Sequence, residues 1–482
     1  MAAADNAARI QGPAARVSPA PAGGFDLNVP VAVIGAGACG LVAALAAREA
    51  GAEVVVLERD AVPRGSTALS SGMIPAAGSK AQAAAGVADD PARFAADIMA
   101  KNGGRADRGI VALLAERSGP TVDWLTERWA VPLSLVTGFR YPGHSALRMH
   151  APPGRTGAEL VAALLAAAEA AQIPVVTSAT VTTLFADDDG RVRGLAIARP
   201  DGRVETLGCA ALVLACNGYG GNPGMVARHI PQMAGAMYFG HAGNRGDALA
   251  WGQALGAAAA DLSGHQGHGS VAHPHGILIT WALMSEGGIQ VNRDGRRFAN
   301  EHRGYSEAAA DVLAQPGGIA WCILDARLHR LGMEFEDYRN AVAAGAVLSA
   351  PDIPALAGLT GLPADALGET LAACAAMAAG RATDPFGRDF TTRPPLAPPW
   401  HAVRVTGALF HTQGGLVVDR QGRVLRPDGT ALPNLFAGGG AARGVSGPEA
   451  AGYLSGNGLL SAVVLGRVCG EAAAACARAR AF

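Results

Sequence analysis

Between Val31 and Glu58 the chain reads VAVIGAGACGLVAALAAREAGAEVVVLE, and no other stretch limits the possible folds so sharply. An apolar run, Val31 to Ile34, enters a glycine-rich turn. An Ala/Leu-rich helical segment follows, and a second β-branched run, Val54 to Leu57, ends in an acid. This is the layout of a βαβ unit carrying a dinucleotide fingerprint. Gly35 allows the tight turn, Gly37 lets the backbone approach a pyrophosphate, and Gly40 lets the new helix lie close to the strand. The helix N-terminus, opening at Ala38, faces the phosphates. Glu58 falls where a carboxylate can hold both ribose hydroxyls.

The 482 residues exceed one ordinary domain, so two domains are expected. A formal net charge of -1 gives no electrostatic reason for nucleic acid or an anionic membrane as partner, which leaves small molecules. The seven cysteines are scattered at 39, 209, 216, 322, 374, 469 and 476 and form no C-x-x-C pair. That spacing argues against zinc, iron-sulfur and c-type haem sites and fits a reduced, cytoplasmic protein. Residues 1–24, rich in Ala, Pro and Gly, read as a disordered leader without the apolar core of a signal peptide. No window supplies the roughly 20 uninterrupted apolar residues of a membrane span.

After Glu58, the stretch VPRGSTALSSGMIPAAG crowds Ser66, Thr67, Ser70, Ser71 and Gly72 close behind the fingerprint, which favours contact with the cofactor. Residues 91–130 read as helices, and an amphipathic helix starts near Thr156 or Gly157. Alternating apolar residues around Asp188 to Gly190 read as a hairpin. The apolar run Leu212 to Ala215 then breaks into a glycine loop, so two apolar strands with glycine exits gather around one cofactor. At Gly264 the composition shifts, with His265, His268, His273 and His275 within twelve residues. Imidazoles invite a metal, but no acid or cysteine at helix spacing completes a site, so no metal is expected. Residues 264–393, with a helical stretch from Asp365 to Ala379, read as an inserted second domain. It divides a first domain into residues 25–263 and 394–482.

The Rossmann opening, LVLACNGYGG, AHPHGILIT, GGIQVNRDGRRFANE, HTQGGL, LFAGGG and GNGLLSAVVLGR together resemble, from about residue 28 to 475, the flavoproteins related to fumarate reductase and succinate dehydrogenase. That superfamily includes 3-ketosteroid dehydrogenases and smaller cyclic-ketone dehydrogenases. The resemblance implies an α/β fold, with a Rossmann-like FAD-binding domain and an inserted α+β capping domain over the isoalloxazine. It implies FAD contacts at Gly35, Gly37, Ala38, Gly40, Glu58, Arg59, Ser66, Thr67, Ser70, Ser71 and Gly72. Further contacts fall at Val181, Ala215, Gly218, Asp247, Gly439, Gly440, Gly458, Leu459 and Leu460. Many relatives carry a glutamate where this chain has Gly440. The loop that tethers FAD covalently in succinate dehydrogenases corresponds to Ser66 to Gly72, which has no histidine, so the FAD is expected to be non-covalent.

The departures are informative. The arginine that delivers a proton in soluble fumarate reductases, four residues after Asn300-Glu301, is Tyr305 here. The arginine that clamps a substrate carboxylate is Tyr453, and the proton-relay positions fall on Trp281 and Met284. Tyrosines at these two places resemble the arrangement in 3-ketosteroid dehydrogenases. Carried over, Tyr453 with the amide of Asn457 polarises a ketone, and Tyr305, helped by Tyr141 or His302, removes the α proton. A donor to an oxygen that gains negative charge binds the transition state better than the ground state. His273, Thr280 and His411 match the carboxylate-binding side of the relatives.

The expected activity is therefore desaturation of a cyclic ketone, such as a 3-ketosteroid or a keto acid of the 4-oxocyclohexanecarboxylate type, with an unidentified electron acceptor. Two alternatives stand beside it. One is a fumarate-reductase-like enzyme of a carboxylic acid using His273, His411 and Arg303. The other is a flavoprotein subunit passing electrons within a complex.

Overall fold

A computed structural model describes residues 15–138 and 140–479. The chain divides into two compact units, one formed by the residues up to His229, Gly240–His265 and those from His411 onward, the other by Ile230–Phe239 and Gln266–Phe410.

The first unit is built on a nine-stranded sheet. Leu27–Ile34 lies between Val54–Leu57 and Val204–Leu214, parallel to both, and Ala431–Ala437 runs parallel to the far end of Val204–Leu214. Val31, Ala32, Val33, Val56 and Leu212–Leu214 are fully buried, as expected where helices cover both faces of a parallel sheet. Each Val or Leu so buried contributes about 1.5–3 kcal/mol relative to exposure. The expected hairpin is present as Thr180–Ala186 against Val192–Ala198, and Thr156 caps the Gly157–Ala170 helix through the N–H of Glu159. Helices cover Pro91–Lys101 and Arg108–Trp129.

The helix that follows the fingerprint, Ala38–Glu49, packs against the last helix, Asn457–Arg478. Small residues make this possible. A Cβ at Gly466 would stand 2.6 Å from the carbonyl oxygen of Cys39, and one at Gly470 would overlap that of Ala43. Asn457–Arg478 has the length and composition of a membrane-crossing helix, although Arg467 and Glu471 interrupt its apolar run, and most of it is buried inside this unit.

The second unit has a seven-stranded sheet centred on Trp400–Thr412, which pairs antiparallel with Ile319–Asp325 and Val347–Ala350. Ala364–Ala378 is helical. Two apolar clusters hold this unit together, one around Leu283, Tyr338 and Val405, the other around Trp321, Leu367 and Trp400.

Ile230–Phe239, expected in the first domain, joins the second unit, where Met237 and Tyr238 pair with Ala408 and Leu409, and two expected boundaries move. The second unit reaches Phe410 instead of Arg393, because Trp400–Thr412 is the strand to which its sheet is zipped. The leader is shorter than residues 1–24, because Arg16–Ser18 pairs parallel with Thr183–Phe185; residues 1–14 lie outside the described part.

Candidate functional site

In the first unit the nucleotide cradle follows from three missing side chains. Gly35 has φ +106°, and a Cβ there would stand 2.6 Å from the oxygen of Ala215. A Cβ at Gly40 would overlap the oxygen of Gly35, so the first helical turn can lie on the strand only if residue 40 is glycine. Gly37 faces the hydroxyl of Thr67, which accepts the N–H of Ala38 at 3.1 Å. Glu58 is buried, and its two oxygens accept the N–H groups of Ala36 (2.9 Å) and Asp60 (3.0 Å). Its remaining lone pairs can take ribose hydroxyls.

The Ser66–Gly72 segment is tied down at several points. Ser66 Oγ accepts from Asn244 Nδ2 at 2.8 Å, Ser70 Oγ donates to Thr67 O at 2.7 Å, and Gly72, at φ +65°, lies against Thr156 O. Ser71 is exposed. Arg59 and Asp247, both expected at the cofactor, form an ion pair of 2.6 Å, and Arg59 also donates to Gly243 O. Val181 follows Ala179, whose N–H donates to Glu58 O, so the acid is framed by this strand as well. Ala215 continues the sheet by donating to Ile34 O. Glycines at 218, 439 and 440 line the exits of the neighbouring strands, where a Cβ would meet Thr412, Cys39 and Asn217 respectively. A glycine-lined helix N-terminus, with a buried carboxylate one strand away, fits FAD.

Around the start of Asn457–Arg478 the same unit assembles a polar chain. Asn457 Nδ2 donates to Ser446 Oγ (3.2 Å), Ser446 Oγ donates to Gln413 Oε1 (2.7 Å), and Gln413 Nε2 approaches His411 Nδ1 at 2.9 Å. With Nδ1 accepting, His411 carries its proton on Nε2. Burial drives its pKa down to about 4, so the ring is neutral at pH 7. A Cβ at Gly458 would stand 2.9 Å from this imidazole. Leu459 and Leu460 complete the first helical turn.

The Tyr453 ring meets His411 edge-on, centroids 5.4 Å apart. Burial raises its pKa, while the N–H groups of Gly458 and Gly456 hydrogen-bond the phenolic oxygen. One expected detail is corrected: the backbone N–H of Asn457 donates to Leu454 O at 3.0 Å, because the chain turns there into the helix. The amides aimed at the phenol are those on either side of it.

Tyr141 also lies in this unit, packed on Met73, Val136 and Met149, and its charge would oppose ionisation of Tyr453. Tyr305, the base it was expected to help, belongs to the second unit. The loop that carries Tyr141 is anchored by Arg148, fully buried, which pairs with Asp89 at 2.7 Å and with Asp97, and covers the Phe94 ring. Beside it, the N–H of His144 donates to Tyr141 O, and His144 Nε2 lies 2.9 Å from Ser455 O, two residues beyond Tyr453.

In the second unit Tyr305 opens the Tyr305–Leu313 helix, directly after Gly304 at φ +139°. Glu301 of the preceding Asn-Glu pair is buried and resists the cost of burial through Arg297 (2.7 Å) and Arg388 (2.9 Å), with a further N–H from Gln290. The motif is a structural lock that fixes the approach to Tyr305. The expected helper His302 faces Glu301, Arg388 and Arg393. The residue stacked on Tyr305 is His268, with centroids 5.0 Å apart, and Trp281 meets His268 edge-on. His268 Nδ1 accepts the N–H of Ser270, and burial lowers its pKa to about 3, so it is a neutral Nε2–H donor.

From sequence alone His268 reads only as a candidate metal ligand. Its signal was the Gly267-His268-Gly269 alternation, since a Cβ at either glycine would stand 2.6 Å from Ala309 or Ala308 of the Tyr305 helix. Half-exposed His273 donates its N–H to Arg404 O, and Thr280 Oγ1 accepts from Ala282 N–H next to Trp281. Among the described residues no three histidine, cysteine or acid side chains gather as metal ligands.

The buried histidines give an acid-sensitive fold. His144 and His411 at about 4 and His268 at about 3 are harder to protonate folded than unfolded, where histidine titrates near 6.5. The unfolded chain thus binds more protons below that pH. Each histidine held at about 4 contributes on the order of 3 kcal/mol, present above pH 6.5 and lost as the pH falls toward the folded value. Thermal melts from pH 7.5 to 4.5 should show Tm constant down to about 6.5 and then falling. A Tm independent of pH over that range would contradict the assignment.

The chain is 30% identical over 461 residues to the probable fumarate reductase Ifc3 of Shewanella frigidimarina, covering 95% of this chain and 77% of that protein. To the urocanate reductase of Eggerthella lenta it is 28% identical over 477 residues, covering 94% and 76%. Among solved structures, the open form of a flavocytochrome c3 fumarate reductase matches with a TM-score of 0.81 at 30% identity, covering 95% of this chain and 80% of that one. The 3-ketosteroid-Δ4-(5α)-dehydrogenase from Rhodococcus jostii RHA1, solved with 4-androstene-3,17-dione, matches with a TM-score of 0.75 at 27% identity, covering 95% and 99%. The FAD binding domain family matches residues 30–459. With that match running over the cradle and both units, the chain belongs to this family, the fumarate reductase and succinate dehydrogenase flavoproteins, and is an FAD-dependent oxidoreductase.

Proposed function

We propose that this oxidoreductase desaturates a compact cyclic ketone at the carbons α and β to its carbonyl. The observation that carries this reading is Tyr453: a buried phenol set edge-on to His411, its oxygen held by the backbone N–H groups of Gly456 and Gly458. Burial keeps the phenolic proton in place at neutral pH, so the group is a neutral donor to a carbonyl oxygen and a poor clamp for a carboxylate. Bound FAD supplies the acceptor for the hydride that leaves the β carbon. The α proton passes to the Tyr305 oxygen in its phenolate form, the C–H electron pair becomes the new double bond, and His268 holds the ring of Tyr305 in place by stacking. His411, His273 and Thr280 are the positions for a second polar group of the substrate, which is why a keto acid of the 4-oxocyclohexanecarboxylate type suits this reading alongside a 3-ketosteroid.

A carboxylic-acid reductase is the second reading, favoured by the identity to the fumarate and urocanate reductases. Arg303, the cation it would enlist, is half exposed and paired with Asp311 at 2.8 Å. Anaerobic mixing with a panel of cyclohexanones, keto acids and 3-ketosteroids should bleach the flavin. Bleaching by none of them, together with reoxidation of the dithionite-reduced protein by fumarate or urocanate, would hand the case to the second reading. In the same preparations acid denaturation should release FAD into the supernatant, since the Ser66–Gly72 loop offers no histidine for a covalent bond; flavin pelleting with the protein would refute this.

A further inference from the structure

The strands Leu27–Ile34, Val204–Leu214 and Ala431–Ala437 end side by side in register, Leu214 opposite both Ile34 and Ala437. Their exits are therefore adjacent, at the carboxyl edge of a parallel sheet where such folds bind nucleotides. One of these exits carries a residue that departs from the glycine pattern. Asn217 sits at φ +66°, and its Oδ1 accepts the N–H of Gly218 at 2.8 Å. The carboxamide lies where a side chain on residue 440 would be: a Cβ at Gly440 would overlap Asn217 Oδ1 and stand 3.1 Å from its Cγ. Gly440 does not need to be glycine for its backbone angle, since it is not among the positive-φ glycines. Its lack of a side chain makes room for Asn217. With Oδ1 committed, Nδ2 keeps two N–H donors that no described residue accepts, at the mouth of the cradle.

We infer that Asn217 is a cofactor-binding residue whose Nδ2 donates to an oxygen of the linker joining the two halves of FAD, either pyrophosphate or ribityl. Gly440 is the seat that holds it in place. A residue in the left-handed region with its side chain fixed from behind is more than a turn former. A turn there would be served as well by glycine.

The test is a cycle of FAD dissociation constants, read by quenching of flavin fluorescence as FAD is titrated back into the stripped full chain, so it does not depend on which substrate reading holds. Asn217→Gly suits the backbone angle and should fold with an unchanged far-UV spectrum, yet weaken FAD binding about tenfold, the loss of one good hydrogen bond. Gly440→Ala displaces the carboxamide and should cost a similar factor. The double variant should bind no worse than Asn217→Gly alone. An Asn217→Gly protein that binds FAD within about twofold of the parent would overturn the inference. So would losses that multiply in the double variant, because the two positions would then act separately. ADP, titrated in parallel, identifies the oxygen: a loss shared by ADP assigns it to the pyrophosphate, and a loss confined to FAD assigns it to the ribityl chain.

Discussion

Replacing Tyr453 by phenylalanine is expected to lower kcat on a cyclic ketone by about two to three orders of magnitude while FAD stays bound. The ring keeps its place against His411, so packing changes little; what disappears is the phenolic oxygen, with its O–H and its acceptance of the Gly456 and Gly458 N–H groups. Removing one such donor to a developing oxyanion typically costs that factor. The loss should fall on kcat more than on KM, because the hydrogen bond strengthens as charge builds on the carbonyl oxygen. Tyr305→Phe should match it in size and differ in its pH profile. With Tyr305 present the rate should rise toward alkaline pH as the phenolate forms, and the variant should lose that limb. Tyr453→Phe should keep it. Full activity in both variants would remove the phenols from the chemistry.

The second large effect concerns stability. Arg148→Met should cost the fold about 3–5 kcal/mol, since it leaves the fully buried carboxylate of Asp89 and that of Asp97 without their cation. For a chain of this size that should appear as a fall in Tm of roughly 3–5 °C. The pH dependence identifies the cause. Without the guanidinium the Asp97 carboxyl loses a partner that holds its pKa down and binds protons more readily, so the gap between parent and variant should narrow as the pH is lowered from 7.5 to 5. A gap that stays constant would point to lost packing on Phe94 instead. Turnover should fall as well, because Arg148 braces the loop that carries Tyr141 and the His144 contact to Ser455.

The parts of this molecule that could be read from the chain are those where local chemistry allows one answer. Gly35 and Gly40 have no alternative beside a strand-helix turn, Glu58 closes a β-branched run, and Thr156 caps a helix by its own side chain. Other features depend on contacts between residues far apart. The Gln413–Ser446–Asn457 chain behind His411 joins three separate segments, and although HTQGGL and GNGLLSAVVLGR stand out as motifs, nothing in either shows that Ser446 bridges them. The boundary at Phe410 is hidden because the strand Trp400–Thr412, which begins only after residue 393, is the one on which the second unit's sheet is centred. His268 was visible as a residue and not as a neighbour of Tyr305, since glycine spacing reports that something comes close and not what it is. The amide of Asn457, expected beside Tyr453 as a second donor to the ketone, is committed to Leu454 O by helix entry, which no residue pattern announces.

The glycine seam between Ala38–Glu49 and Asn457–Arg478 bears on biosynthesis. The element that closes over the fingerprint helix leaves the ribosome after everything it covers, so the growing polypeptide must wait with an oily groove uncovered. Nonsense mutations or frameshifts near residue 457 should therefore yield insoluble product and not a weakened enzyme. Overexpression should gain from holdase chaperones and slower translation.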